Sequence, residues 1–129
     1  MATGFPASTG QVLSAAMYNE LTAFTVGAAN TSDYTATISD AYQVLEIMNR
    51  STAIAFNIPT DASVNFPIGT AITVLNIGVG LCTIKAVTSG TTAVLSAGAV
   101  TAQPTLAQYR SAVCIKTAAN TWYVVGAVS

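Results

Sequence analysis

Between Tyr34 and Val128 the chain never sustains one pattern for long. Apolar runs fall at 34–38, 42–48, 53–58, 71–77, 82–88, 92–96, 111–117 and 121–128, and none exceeds eight residues. Turn formers separate most of them: Pro59-Thr60-Asp61, Pro67-Ile68-Gly69, Gly78-Val79-Gly80, Ser89-Gly90 and Ala118-Ala119-Asn120. Helices need longer stretches than this to bury a stripe, whereas strands of five to eight residues ended by Gly, Pro or Asn build a β domain. The run at 42–48 can also be drawn as a helix from Ala41 to Arg50. Tyr42, Val44 and Ile47 favour a pleated surface, so it is read as a strand. The expected fold is all-β, a small sandwich or barrel-like domain over residues 28–129.

Residues 1–27 read differently. After Thr9-Gly10, apolar residues recur at Val12, Leu13, Ala16, Met17, Leu21 and Phe24, a helical stripe that ends before Val26-Gly27. A short arm containing Phe5-Pro6 precedes it. The expectation is an N-terminal arm and short α-helix acting as an interaction segment. Its stripe packs either on its own domain or on a neighbouring chain.

Charge decides which functions are open. Only 7% of the 129 residues are charged, 52% are hydrophobic, and histidine is absent. Four basic residues cannot neutralise a run of phosphates, which argues against nucleic-acid binding, and they form no cluster that would seek an anionic membrane. Residues 62–84 carry no charge, but Asn65, Pro67, Gly69, Thr70, Asn76, Gly78 and Gly80 interrupt them, so no transmembrane helix is expected. The N-terminus has neither the basic region nor the apolar block of a signal peptide. A chain so poor in charge has little to keep its copies apart, and much of its apolar surface is expected to be shared with other subunits in a closely packed assembly. The final run, Thr121 to Val128, is apolar on both faces, as befits a strand that is central or covered by another subunit. All five acids lie in residues 1–61 with Arg50, whereas Lys85, Arg110 and Lys116 lie beyond, so one part of the chain can complement the other across a boundary.

Candidate chemistry is sparse. Asp33 with Asp40, or Glu46 with Asp61, are the only carboxylate pairs close enough in sequence to suggest a glycosidase, and solvated acids or turn caps explain them more simply. No base accompanies the many hydroxyls, so no catalytic residue is assigned and no enzyme is expected. Gly78-Val79-Gly80 lacks the remaining glycine and Lys of a phosphate loop and reads as a tight turn. Asn76 and Asp61 are too isolated for a calcium loop. Cys82 and Cys114, without histidine, read as small buried hydrophobes rather than a zinc set or a disulfide. No cofactor and no metal is expected. Among the aromatics, Tyr109 beside Gln108 and Arg110 is the ring most suited to an exposed sugar platform, while Trp122 and Tyr123 read as core or interface.

Several stretches taken in order resemble a β-rich module of tailed-bacteriophage structural proteins, found in head or tail fibres and capsid decoration proteins. They are Ala55-Phe56-Asn57-Ile58-Pro59, then Val64-Asn65-Phe66-Pro67-Ile68-Gly69-Thr70 into Ala71–Val74, the Gly78–Gly80 turn, and Ala112–Thr117 leading through Asn120 to Trp122-Tyr123-Val124-Val125-Gly126. The resemblance covers a little over half the chain. It implies scaffold roles for Phe56, Pro59, Phe66, Pro67, Gly69, Trp122, Val124 and Gly126, and no catalytic residues. A short chain with its own N-terminal arm is most similar to a capsid decoration, or cement, protein. Such proteins are small, commonly trimeric, and seated on the outside of the major capsid lattice, which they stabilise. The expected location is then the virion surface after synthesis in the host cytoplasm, with Phe5, Leu13, Met17, Leu21 and Phe24 as contacts to sister subunits or to the major capsid protein. The alternative is a fibre or baseplate component binding host-surface glycans.

Overall fold

A computed structural model describes residues 24–42, 44–97 and 103–129. The described chain is mostly β, with ten strands in two mixed sheets and one 3-10 turn, η1 (Ile38–Ala41). In chain order the strands are β1 (Thr25–Val26), β2 (Tyr34–Thr35), β3 (Val44–Met48), β4 (Ile54–Ile58), β5 (Ala71–Asn76), β6 (Cys82–Ala86), β7 (Ala93–Leu95), β8 (Thr105–Leu106), β9 (Arg110–Ala118) and β10 (Thr121–Gly126). One sheet runs β1-β3-β5-β9-β10-β7 and the other β2-β4-β6-β8.

The chain builds these sheets by passing between them. The first six strands alternate strictly, odd-numbered ones joining the larger sheet and even-numbered ones the smaller. Consecutive members of each sheet pair in parallel: β1 with β3, β3 with β5, β2 with β4, and β4 with β6. Leu45 faces Thr73 in one sheet and Ile54 faces Cys82 in the other, partners 28 residues apart in both cases. The chain therefore winds as a flattened coil whose successive turns stack in register. Two antiparallel strands close it, β9 on β5 and β10 on β9.

Stacked turns bring backbone against backbone where the coil reverses. A Cβ at Gly80 would lie 1.9 Å from the Thr52 carbonyl oxygen, and one at Gly78 would lie 2.4 Å from the Arg50 nitrogen. No side chain fits there, which is why the tight turn read from the sequence needs glycine at both positions. Asn76, fully buried, ties this corner together: its Nδ2 donates to the carbonyls of Gly80 (2.9 Å) and Leu106 (2.8 Å), and its Oδ1 accepts from the Gly78 amide (3.0 Å).

One hydrophobic cluster lies between the sheets. Met48, Ile72, Val74, Cys114, Trp122 and Val124 enter it from the larger sheet, and Ile54, Phe56, Ile58, Cys82 and Ile84 from the smaller. Phe66, from the connection before β5, meets Trp122 edge-on with ring centroids 5.4 Å apart, a favoured aromatic geometry. Both cysteines are buried, free thiols.

Several expectations are revised by this architecture. The sequence suggests a strand over 34–38, but pairing stops at Thr35 and Ile38 opens η1, because Thr37 and Asp40 turn the chain: the Asp40 amide donates to the Thr37 carbonyl at 2.9 Å. Strand β1 begins at Thr25, where the backbone pairs with β3; residues 1–23, which hold nearly all of the expected arm and helix, lie outside those described. Strand β10 lies between β9 and β7, with one face open within the single chain. Trp122 and Val124 point inward, whereas Tyr123 is 45% and Val125 51% exposed.

Candidate functional site

Among the described residues, the outward face of the six-stranded sheet is largely apolar. Side chains alternate across a strand, so the inward set of β3, Val44, Glu46 and Met48, leaves Leu45 and Ile47 outside. The same alternation places Thr73 and Leu75 of β5, Val113 and Ile115 of β9, Tyr123 and Val125 of β10, and Leu95 of β7 on that face. Register lines them up in rows. Leu45 lies beside Thr73, Thr73 beside Val113 and Val113 beside Val125, while Ile115 lies beside Tyr123 and Tyr123 beside Leu95. None of these outward strand positions carries a charge. A sheet with one face in water ordinarily presents polar residues there, and contiguous apolar surface of this kind marks an interaction site.

The residues expected to make contacts distribute as follows. Phe24 is 55% exposed at the start of the described chain, next to edge strand β1. Phe5, Leu13, Met17 and Leu21 lie outside the described residues. Of the scaffold set, Phe56, Phe66, Trp122 and Val124 are buried in the core cluster, and Pro59 is buried where β4 ends. Pro67, Gly69 and Gly126 are exposed. Gly69 has φ +96° and Gly126 φ +140°, so these two turn the chain rather than fill the core. Asn120 takes φ +48° in the β9–β10 turn. Tyr109, the candidate sugar platform, is 75% exposed with φ +65° in the turn before β9.

Two buried polar clusters escape a reading of composition. In the first, Lys116 is 2% exposed; its Nζ lies 2.9 Å from Asp61 Oδ1 and donates to the Phe66 carbonyl at 2.6 Å. Asp61 also exchanges bonds with Asn120: its amide donates to Asn120 Oδ1 (2.9 Å), and its Oδ2 accepts from the Asn120 amide (3.0 Å). Burial alone would raise the Asp61 pKa, but the bonds from Lys116 and Asn120 outweigh it and hold the carboxyl below its ordinary value. The cluster pins the β4–β5 connection to the closing hairpin.

The second cluster pairs two acids. Asp40 on η1 is 1% exposed and Glu46 on β3 is 7% exposed. Asp40 Oδ2 accepts from the Tyr34 hydroxyl (2.7 Å) and the Thr37 amide (2.9 Å), while Asn30 Nδ2 donates to Glu46 Oε2 (3.0 Å). Burial first, and the nearby Asp40 carboxyl second, push the Glu46 carboxyl up to about 7. Burial and the same Asp40 contact push the Tyr34 phenol upward. The four basic residues of the chain lie elsewhere: Arg50 pairs with Asp33, Lys116 with Asp61, Lys85 sits on β6 and Arg110 begins β9.

No group of three or more acidic or cysteine side chains among the described residues is placed to hold a metal. The depression beside the β6–β7 connection is lined by Ala86, Ser89, Thr91, Val94 and Gln103 among others. Burial pushes the thiols up, Cys82 to about 11 and Cys114 to about 12, leaving them poor nucleophiles. No helix among the described residues is long and apolar enough to cross a membrane. No family model, curated protein or solved structure matches this chain.

Proposed function

We propose that the protein is a structural component of a virion: a capsid cement, or decoration, protein that binds the outside of a major capsid lattice as a homotrimer and stabilises it. In this reading a sandwich-like β domain carries an N-terminal arm and helix as its interaction segment. The observation that carries the proposal is the charge-free apolar face of the six-stranded sheet, which calls for a partner that is itself apolar. A second copy of the same chain meets that requirement. Burying a Val, Leu, Ile or aromatic side chain contributes about 1.5–3 kcal/mol, so a handful of such contacts holds an oligomer together without ion pairs. Binding only the assembled lattice then stabilises it by mass action, in proportion to occupancy and affinity.

Light scattering at micromolar concentration tests the first step. The expected mass is about 39 kDa, three chains of 13.1 kDa. Replacing the exposed pair Tyr123→Lys and Val125→Glu should give a folded monomer that no longer co-sediments with tailed-phage heads. A wild-type chain that stays monomeric and leaves heads undecorated refutes the reading. The second reading, a fibre or baseplate component binding host-surface glycans, rests on the exposed Tyr109 ring. Glycan affinity that disappears with Tyr109→Ala would favour it.

A further inference from the structure

We propose that the apolar face of the six-stranded sheet is covered by the N-terminal stripe of a neighbouring copy: Leu13, Met17, Leu21 and Phe24 of one chain rest on β3, β5, β9 and β10 of the next. This inference rests on the oligomer proposed above and names the part of the second copy that completes the face. The face extends to the strand into which the stripe leads. Val26 of β1 pairs with Leu45, Leu45 with Thr73, Thr73 with Val113 and Val113 with Val125, so one row of uncharged side chains crosses five strands. A second row joins Ala71, Ile115, Tyr123 and Leu95. Val26, Leu95, Tyr123 and Val125 are all exposed, so the described residues of one chain leave the face open.

Length and charge fit the stripe to the row. Leu13, Met17, Leu21 and Phe24 follow at intervals of four, four and three, the spacing of one helical face. From Leu13 to Phe24 a helix rises about 17 Å. The row from Val26 to Val125 crosses four strand intervals, roughly 19 Å. Glu20, the one charged side chain in residues 1–24, flanks the stripe rather than joining it, so apolar residues meet apolar residues with no ion stranded between them. The connection decides which copy is covered. Thr25 is already paired in β1, whereas a helix lying on a sheet holds its backbone about 8 Å above the strands. One residue spans at most about 3.6 Å. Folding back onto its own sheet would therefore take up Thr22, Ala23 and Phe24 in the climb, and the stripe would lose its last anchor. A neighbour's sheet imposes no such climb, and exchange of an identical element between copies is a low-cost route to an oligomer. Phe24, 55% exposed on its own chain, agrees with a ring that is covered elsewhere.

Photo-crosslinking in the full chain tests the placement. Met17 is replaced by benzoyl-phenylalanine, isotopically heavy and light chains are mixed in denaturant and refolded together, and the irradiated product is read by mass spectrometry. The expected links join position 17 of a heavy chain to residues 44–48, 71–76, 110–118 or 121–126 of a light one, and the reverse. Links confined to one chain, links to the four-stranded sheet, or a trimer that forms no links would each overturn this inference while leaving the trimer standing. A wild-type chain that is monomeric overturns both. Two substitutions then read the energetics by light scattering across a dilution series. Met17→Glu, on the stripe, should weaken assembly by about tenfold or more, whereas Thr22→Glu, on the opposite side of that helix, should leave it unchanged. Equal effects of the two, or no effect of Met17→Glu, overturn the inference.

Discussion

Lys116 and Asp61 form an ion pair whose two halves are buried to very different degrees, and that asymmetry predicts unequal costs for removing them. The ammonium side chain is 2% exposed, whereas the carboxylate side chain is 21% exposed. Asp61→Asn leaves a cation in the interior with the Phe66 carbonyl and a weak amide dipole for company. Stranding a buried charge costs about 3–5 kcal/mol. Lys116→Met instead removes the charge, fills similar volume, and leaves a carboxylate that water reaches and the Asn120 amide still serves. The loss is then one charge-assisted bond and the Phe66 carbonyl's donor, about 1–2 kcal/mol. Urea unfolding at pH 7, followed by fluorescence of Trp122, measures both at fixed protein concentration, and the double variant should be more stable than Asp61→Asn alone. Because the Asp61 pKa is depressed, the stability it contributes is present above the ordinary carboxylate range and is lost as pH falls through it, so the wild type and Asp61→Asn should converge in acid. If Lys116→Met costs as much as Asp61→Asn, the account of a buried cation dependent on its partner is wrong.

Other consequences follow from the same packing. Gly80→Ala should lower stability by about 3 kcal/mol, visible as a drop in urea midpoint, because its Cβ would occupy the position of the Thr52 carbonyl and one turn of the coil must move. Trp122→Ala, which empties the largest buried side chain and removes the Phe66 contact, should cost about 3–5 kcal/mol by calorimetry. Cys82 and Cys114 should resist a thiol-specific chromophore in the native protein at pH 8 and react fully in denaturant; rapid native reaction would contradict their burial.

The strands of this molecule were largely visible as short apolar runs. β4, β5, β6 and β10 fall within runs bounded by Pro59, Gly69, Gly78–Gly80 and Asn120, and β9 extends its run by one residue at each end, because those turn formers act locally on the backbone. The two-residue strands β1 and β8 have no such signature, and β2 keeps only the first two residues of the 34–38 run: their pairing depends on what lies alongside. The apolar outer face was half legible. Alternation in Tyr123-Val124-Val125 hints at it, but the rows joining Leu45 to Val113 and Leu95 to Tyr123 depend on register between distant segments. Glu46 and Asp40 looked like surface acids, and only the fold of η1 against β3 buries them side by side.

By itself the sequence determined a β-rich chain with little charge, places for its turns, and an apolar excess that a single small domain does not hide, because these follow from composition and nearest-neighbour backbone preferences. Tertiary structure alone decided that β3 pairs with β5 and β4 with β6 in parallel at a spacing of 28 residues, that Lys116 lies buried against Asp61 across 55 positions, and that Asp40 and Glu46 are buried where η1 packs on β3. Those outcomes depend on contacts between segments far apart in the chain, and no local preference encodes which of them will meet.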